Sequence, residues 1–246
     1  MKAQVPTFFL HGWNGSYESE EHMTQAIRDA GRTKTVVRVD VDPAGQAKLL
    51  GKLPQGATNP LVEVSFLDKT NIDYQLNGQW LKQAILTVRA AYPFDKYNVV
   101  AHSMGNMVLL NYLRDTAGDT SLPKLSKQVD LAGNFNGILG RNDEPNRMTF
   151  DKTGLPSPQT PEFQALLPLR STYPDHQVDV LNVFGDVDDG SHSDGNVSNE
   201  SSRALSYLLG GRARSYREVT IHGGEGKHSN LHESRQVDQL LISFLW

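Results

Sequence analysis

The sequence predicts an α/β fold, a mostly parallel central sheet with helices on both faces. Three observations point there. Strand-like and helix-like segments alternate along the whole chain, the rhythm of a parallel sheet crossed by helices. The chain has 246 residues, 38% of them hydrophobic, enough for one such domain. An apolar run, Val99-Val100-Ala101, turns at His102-Ser103-Met104-Gly105 directly into the helical pattern Asn106 to Leu113.

In order, Thr7 to Leu10 reads as a buried strand. Glu18 to Ala30 reads as a helix closed by Gly31. Thr35 to Asp42 alternates with a strand period, and Leu61 to Leu67 does so again. Gly45 and Gly51 between them predict a hairpin or inserted ribbon. Tyr74 to Tyr92 is a long amphipathic helix ended by Pro93. The Ser103 strand and helix follow, then a short strand, Val129 to Ala132. Residues 134–175 break the rhythm, with one helical piece near Glu162 to Leu169. Val178 to Phe184 is a strand, Ser198 to Leu209 a helix, Tyr216 to His222 a strand and Leu231 to Leu245 a final amphipathic helix. Trp80 and Trp246 read as packing residues. The expectation is one domain over 1–246, with 134–175 a cap or lid inserted between two late strands.

Composition narrows the function classes. A net charge of −4 gives no basic field for nucleic acid. No run of about 18 apolar residues predicts a membrane span. Met1 to Pro6 leads straight into the first strand without a signal-peptide pattern, so the chain reads as cytoplasmic or as lacking its export segment. Zero cysteines exclude disulfides, a catalytic thiol and thiolate metal sites. Compartment and oligomeric state stay open.

The Ser103 corner carries the chemistry. A sharp strand-to-helix turn lifts the serine hydroxyl above the sheet edge, over the positive end of a helix. Ala101 and Gly105, two before and two after, are small enough for close packing. A serine hydroxyl needs a base, and the base an orienting carboxylate. In the chain order Ser, acid, His, the acid follows a later strand and the His follows the last. Asp194 is favoured in the loop after Val178–Phe184, ahead of Asp188 and Asp189, because it opens an Asp-Gly-x-Val turn. Gly190 comes one residue too early for an EF-hand pattern, so no metal is expected. His228, in the glycine-rich loop before the last helix, is favoured as base over His232. His222, His102 and His192 read as surface, buried and exposed residues respectively. Two amides must hold a developing oxyanion. Met104 supplies one, and Trp13, with Asn14 next, supplies the other from the loop His11-Gly12-Trp13-Asn14-Gly15. Apolar residues of 134–175, in particular Phe135, Leu139, Phe163 and Leu167, either line an acyl pocket or pack on the sheet.

These residues resemble the α/β-hydrolase superfamily. Phe9-Leu10-His11-Gly12, Ala101-His102-Ser103-Met104-Gly105 and His228-Ser229-Asn230-Leu231 are similar to segments of the minimal bacterial lipases. In those lipases the positions matched by His228 and Asp194 carry the catalytic His and Asp. Over nearly its full length, including Phe135-Asn136-Gly137 and Ser193-Asp194-Gly195, the chain resembles a family of cell-surface α/β-hydrolases catalogued as a domain of unknown function. Members often carry an export or anchor segment, which implies an exported or cell-surface protein. Asn106 departs from the pattern, standing where a second Gly often follows the turn. The implied activity is hydrolysis of a small-molecule acyl ester through an acyl-enzyme, without a cofactor. Thioester, lactone or peptide hydrolysis, or a non-catalytic binding role on the same fold, are the alternatives.

Overall fold

The computed structural model describes residues 5–246. The N-terminal reading falls partly on residues 1–4, outside the described residues. The strands are β1 (Thr7–Leu10), β2 (Val36–Val41), β3 (Ala47–Leu50), β4 (Leu61–Phe66), β5 (Lys96–His102), β6 (Lys124–Leu131), β7 (Thr149–Phe150), β8 (Pro156–Ser157), β9 (Asp179–Asp186) and β10 (Ser215–His222). The helices are α1 (Glu21–Asp29), α2 (Tyr74–Ala91), α3 (Met104–Asp115), α4 (Pro161–Leu166), α5 (Leu169–Thr172), α6 (Asn199–Arg203), α7 (Leu205–Leu209) and α8 (Arg235–Leu245).

Eight strands form one sheet in the order β10-β9-β6-β5-β1-β4-β2-β3. All its pairings are parallel except β2 with β3, the hairpin expected around Gly45 and Gly51. β1 sits between β4 and β5, and all four of its residues are buried. A strand covered on both faces must be apolar on both, hence Thr-Phe-Phe-Leu. Its side chains alternate between two cores. Phe8 and Leu10 join residues of α2 and α3 on one face. Phe9 joins Met23 and Ile27 of α1 and Val237 and Leu241 of α8 on the other. Among the described residues no helix is long and apolar enough to cross a membrane.

Several boundaries differ from the sequence expectation. The strand expected over Val129–Ala132 begins at Lys124, because its first half is polar yet bonded. Lys127 Nζ donates to the carbonyls of Phe244 and Leu245 at 2.8 and 3.0 Å. Gln128 accepts from the Tyr173 hydroxyl and donates to both oxygens of Asp130. The strand expected over Val178–Phe184 runs to Asp186. The helix expected over Ser198–Leu209 divides at Ala204 into α6 and α7. The helix expected from Leu231 begins at Arg235, where the Ser234 hydroxyl accepts the amides of Gln236 and Val237. Glu18 to Ala30 is a short 3-10 turn, Tyr17–Ser19, followed by α1. Trp80 is buried in the first core, and Trp246 packs against the second.

Asp130 is fully buried, and burial pushes its carboxyl up to about 7 against the opposing hydrogen bonds from Gln128. A carboxyl whose pKa is raised on folding holds its proton more tightly in the native state. Its contribution is fully present below about pH 4 and is lost as pH rises to about 7. The span corresponds to on the order of 4 kcal/mol. Urea unfolding of wild type and Asp130→Asn between pH 4.5 and 8 is expected to show the wild type losing stability relative to the variant across that window. Parallel pH profiles would contradict this assignment.

Candidate active site

The site lies at the carboxyl ends of β1, β5, β9 and β10, where ligands sit in sheets of this kind. Ser103 joins β5 to α3 with φ 51° and ψ −120°. That left-handed conformation is strained for a residue with a Cβ, and it is held by its surroundings. The Ser103 amide donates to Leu131 O at 2.9 Å. Asn106, fully buried, donates from Nδ2 to Ser103 O at 2.9 Å and to Leu131 O at 3.0 Å. The residue that departs from the resemblance thus ties the corner to β6. Gly105 has no room for a side chain, since a Cβ there would meet Leu10 O at 2.6 Å. The loop after β1 also comes close, because a Cβ on Gly12 would lie 3.0 Å from Ser103 Cβ.

His228 Nε2 lies 2.9 Å from Ser103 Oγ, and His228 Nδ1 lies 2.7 Å from Asp194 Oδ2. A carboxylate only accepts, so Nδ1–H donates to Asp194, and Nε2 faces the Ser103 hydroxyl within hydrogen-bond distance. Asp194 Oδ1 accepts the amides of Asn196 and Val197 at 2.9 and 2.7 Å, the turn expected from Asp-Gly-x-Val. The carboxylate side chain is 1% exposed and the imidazole 12%. The His228 amide donates to Asp194 O at 2.9 Å. His102, buried beneath, donates Nε2–H to His228 O at 2.9 Å. Burial, then the neighbouring His228 and His232, hold its pKa well below the usual imidazole value. It stays neutral.

The competing residues are engaged elsewhere. Asp188 accepts from His222 at 2.8 Å, and that bond raises the His222 pKa. Asp189 is exposed and accepts from Ser191. Asp186, Asp188 and His222 bring three potential ligand atoms within 4.8 Å of one another, apart from the Ser103 cavity. His232 lines the cavity but bonds to Glu233, with its ring edge-on to His102. His192 is exposed, as expected.

The cavity above Ser103 holds about 600 Å³. Gly12, Trp13, Asn14 and Met104 line it together with Ser103 and His228. Met104 is the first residue of α3, so its amide has no intrahelical acceptor. Among the described residues no acceptor takes the Trp13 amide, whereas Asn14 donates to Lys69 O at 2.8 Å. His11 fixes this loop through both ring nitrogens. Nδ1–H donates to Gly12 O at 2.7 Å, and Nε2 accepts the Phe66 amide at 3.0 Å. Burial lowers its pKa, which keeps the ring in that neutral tautomer.

The four proposed pocket residues need correction. Phe135 and Phe163 are fully buried in the first core, Leu167 packs against it, and Leu139 does not line the cavity. Phe135, Phe163 and Leu167 thus pack in or against the first core, the expected alternative. That segment instead contributes Asn134, Ile138 and Arg141, while Ile72 and Tyr74 come from the start of α2 and the loop before it. Ile138 had an apolar signal in the sequence; Asn134, Tyr74 and Arg141 had none that separates them from surface residues.

No curated protein matches the sequence. The lin2722 gene product of Listeria innocua has a similar solved structure, with a TM-score of 0.87 at 26% identity, covering 98% of this chain and 94% of that one. A proposed cell-surface hydrolase of Lactobacillus plantarum superposes with a TM-score of 0.77 at 16% identity, over 100% and 91% of the two chains. The carboxylesterase CesB of Bacillus subtilis gives 0.55 at 13% identity, over 100% and 85%, a likeness of fold. The family described as alpha/beta hydrolase of unknown function (DUF915) matches residues 1–246. The parallel sheet, the strand-to-helix serine corner and this full-length match together mean that the chain belongs to that α/β-hydrolase family.

Proposed function

We propose that the protein is a serine carboxylic-ester hydrolase of the esterase or lipase type. The observation that carries the reading is the unbroken chain Ser103 Oγ, His228 Nε2, His228 Nδ1, Asp194 Oδ2 at 2.9 and 2.7 Å, with Ser103 and His228 lining the cavity and Asp194 behind them. Ser103 Oγ attacks the ester carbonyl carbon, and His228 takes its proton. The amides of Trp13 and Met104 hold the oxyanion that forms. Asp194 steadies the imidazolium. When the tetrahedral intermediate collapses, His228 passes that proton to the departing alcohol, leaving Ser103 acylated. Water, deprotonated by His228, then releases the acid and restores the serine. The 134–175 segment acts as a cap, contributing its wall residues to the cavity.

A fluorophosphonate probe together with a p-nitrophenyl ester series from acetate to palmitate tests the reading. Covalent labelling and turnover are expected. Preference for short chains marks an esterase, and activity rising on emulsified long chains marks a lipase. Wild-type protein that neither labels nor turns over any ester would refute it.

A further inference from the structure

Among the described residues lining the Ser103 cavity, Arg141 is the sole Lys or Arg, and none is Asp or Glu. Arg141 is exposed, and among the described residues no carboxylate lies within ion-pair distance of its guanidinium and no acceptor takes its N–H groups. Its backbone is well fixed. The Arg141 amide donates to Ile138 O at 3.1 Å, and Ile138 in turn donates to Asn142 Oδ1 at 2.8 Å. Leu139 donates to Asn196 O at 2.9 Å, inside the turn that caps Asp194. Asp143 accepts the buried Ser198 hydroxyl. The turn bearing Arg141 is thereby fastened to the loop bearing Asp194, which fixes the base of the side chain relative to the serine. Tyr74 and Asn134 stand beside it on the same wall, and the buried Asn134 Oδ1 has no partner. Elsewhere the lining is mixed, with the polar Asn14, Ser19, Asn196 and Ser229 beside the exposed apolar side chains of Trp13 and Ile72. Glu162 shares an adjoining recess with Arg141 and Asn134 but lies beyond ion-pair distance of the guanidinium.

A cation without a counter-ion, in a cavity free of lining carboxylates, selects for negative charge. A guanidinium fork matches a planar carboxylate with two parallel hydrogen bonds. We propose that Arg141 is a specificity-determining residue and that the substrate is an ester carrying one carboxylate, held by Arg141 while its carbonyl lies over Ser103. This rests on the esterase reading above. The apolar side chains of Trp13 and Ile72 accommodate the uncharged remainder of the substrate.

The test compares kcat/KM for p-nitrophenyl monoesters of succinic and glutaric acid with uncharged p-nitrophenyl esters of matched length. The readout is the charged-to-neutral ratio within each variant, so a general loss of activity cancels. Wild type is expected to favour the charged esters on the order of tenfold or more, the scale of one charge-assisted hydrogen-bonded pair. Arg141→Ala is expected to bring the ratio close to one, Arg141→Glu to reverse it, and Arg141→Lys to keep part of it. Added salt should lower the wild-type ratio. A wild-type ratio near one, or a high ratio unchanged in Arg141→Ala, overturns the proposal. So does a preference that emerges only in Glu162→Gln, because Glu162 would then occupy the guanidinium in solution. Wild type that takes the fluorophosphonate yet shows no charge preference sinks this proposal alone. Failure to label or to hydrolyse any ester sinks the esterase reading and this inference together.

Discussion

Ser103→Ala is expected to lower ester turnover by about a millionfold and to abolish fluorophosphonate labelling, while the urea midpoint moves little. On the proposed mechanism the magnitude is that of removing a nucleophile whose neighbours act as one unit. Among the described residues Ser103 Oγ bonds to His228 Nε2 alone, so its loss breaks no other hydrogen bond there. The backbone of the corner is held by Leu131 O and Asn106, which the substitution does not touch. Alanine carries the same left-handed φ with a smaller side chain, and stability should therefore survive. His228→Ala should fall to a similar residual rate, because a serine without its base is as inert as a base without its serine. His232→Ala should retain activity within about tenfold, since its ring bonds to Glu233 rather than to Ser103. Labelling that persists in Ser103→Ala would move the nucleophile elsewhere, and near-normal turnover in His228→Ala would pass the base to His232.

The second large effect is at Asp194. Asp194→Asn is expected to cost about ten-thousandfold in kcat, because an amide nitrogen facing His228 Nδ1 favours the wrong tautomer. That tautomer carries its proton on Nε2, where the Ser103 proton has to go. The substitution also weakens the turn, since Oδ1 accepts the Asn196 and Val197 amides. A thermal melt separates the two contributions. A lower melting temperature reports the turn, and a fall in kcat on folded protein at low temperature reports the tautomer. Asp188→Asn is the control, because Asp188 pairs with the exposed His222. It should leave turnover within a few-fold. Equal losses in both variants would mean that the carboxylate of Asp194 has no special role.

Much of the architecture was legible because it rests on local patterning. β1, β2 and β4 are short apolar or alternating runs bounded by turn residues, and α2 is a long amphipathic stretch with a proline after it. Legibility failed where polar residues are satisfied at long range. The first half of β6 reads as loop because Lys124, Lys127 and Gln128 are polar, yet Lys127 and Gln128 find their partners in Phe244, Leu245 and Tyr173. No window of sequence contains those partners. The serine corner was legible from Ala101 and Gly105, and at Gly105 the small size follows from the close approach of Leu10 at the end of β1.

The sequence by itself determined the alternation of strands and helices, the sharp corner at Ser103, and a short set of residues able to serve as acid and base. Those depend on side-chain size, period and chain order. Only the tertiary structure decided which carboxylate meets which imidazole. Asp188 and Asp194 are six positions apart in one loop, and the fold turns one toward His222 and the other toward His228. It also decided the cavity wall. The large apolar side chains Phe135 and Phe163 go to the core, where burial removes most surface from water, and Asn134 and Arg141 are left facing the space above Ser103. Pairing at distances of 34 and 125 residues is set by strand order and loop path, neither of which is written in any local stretch of the chain.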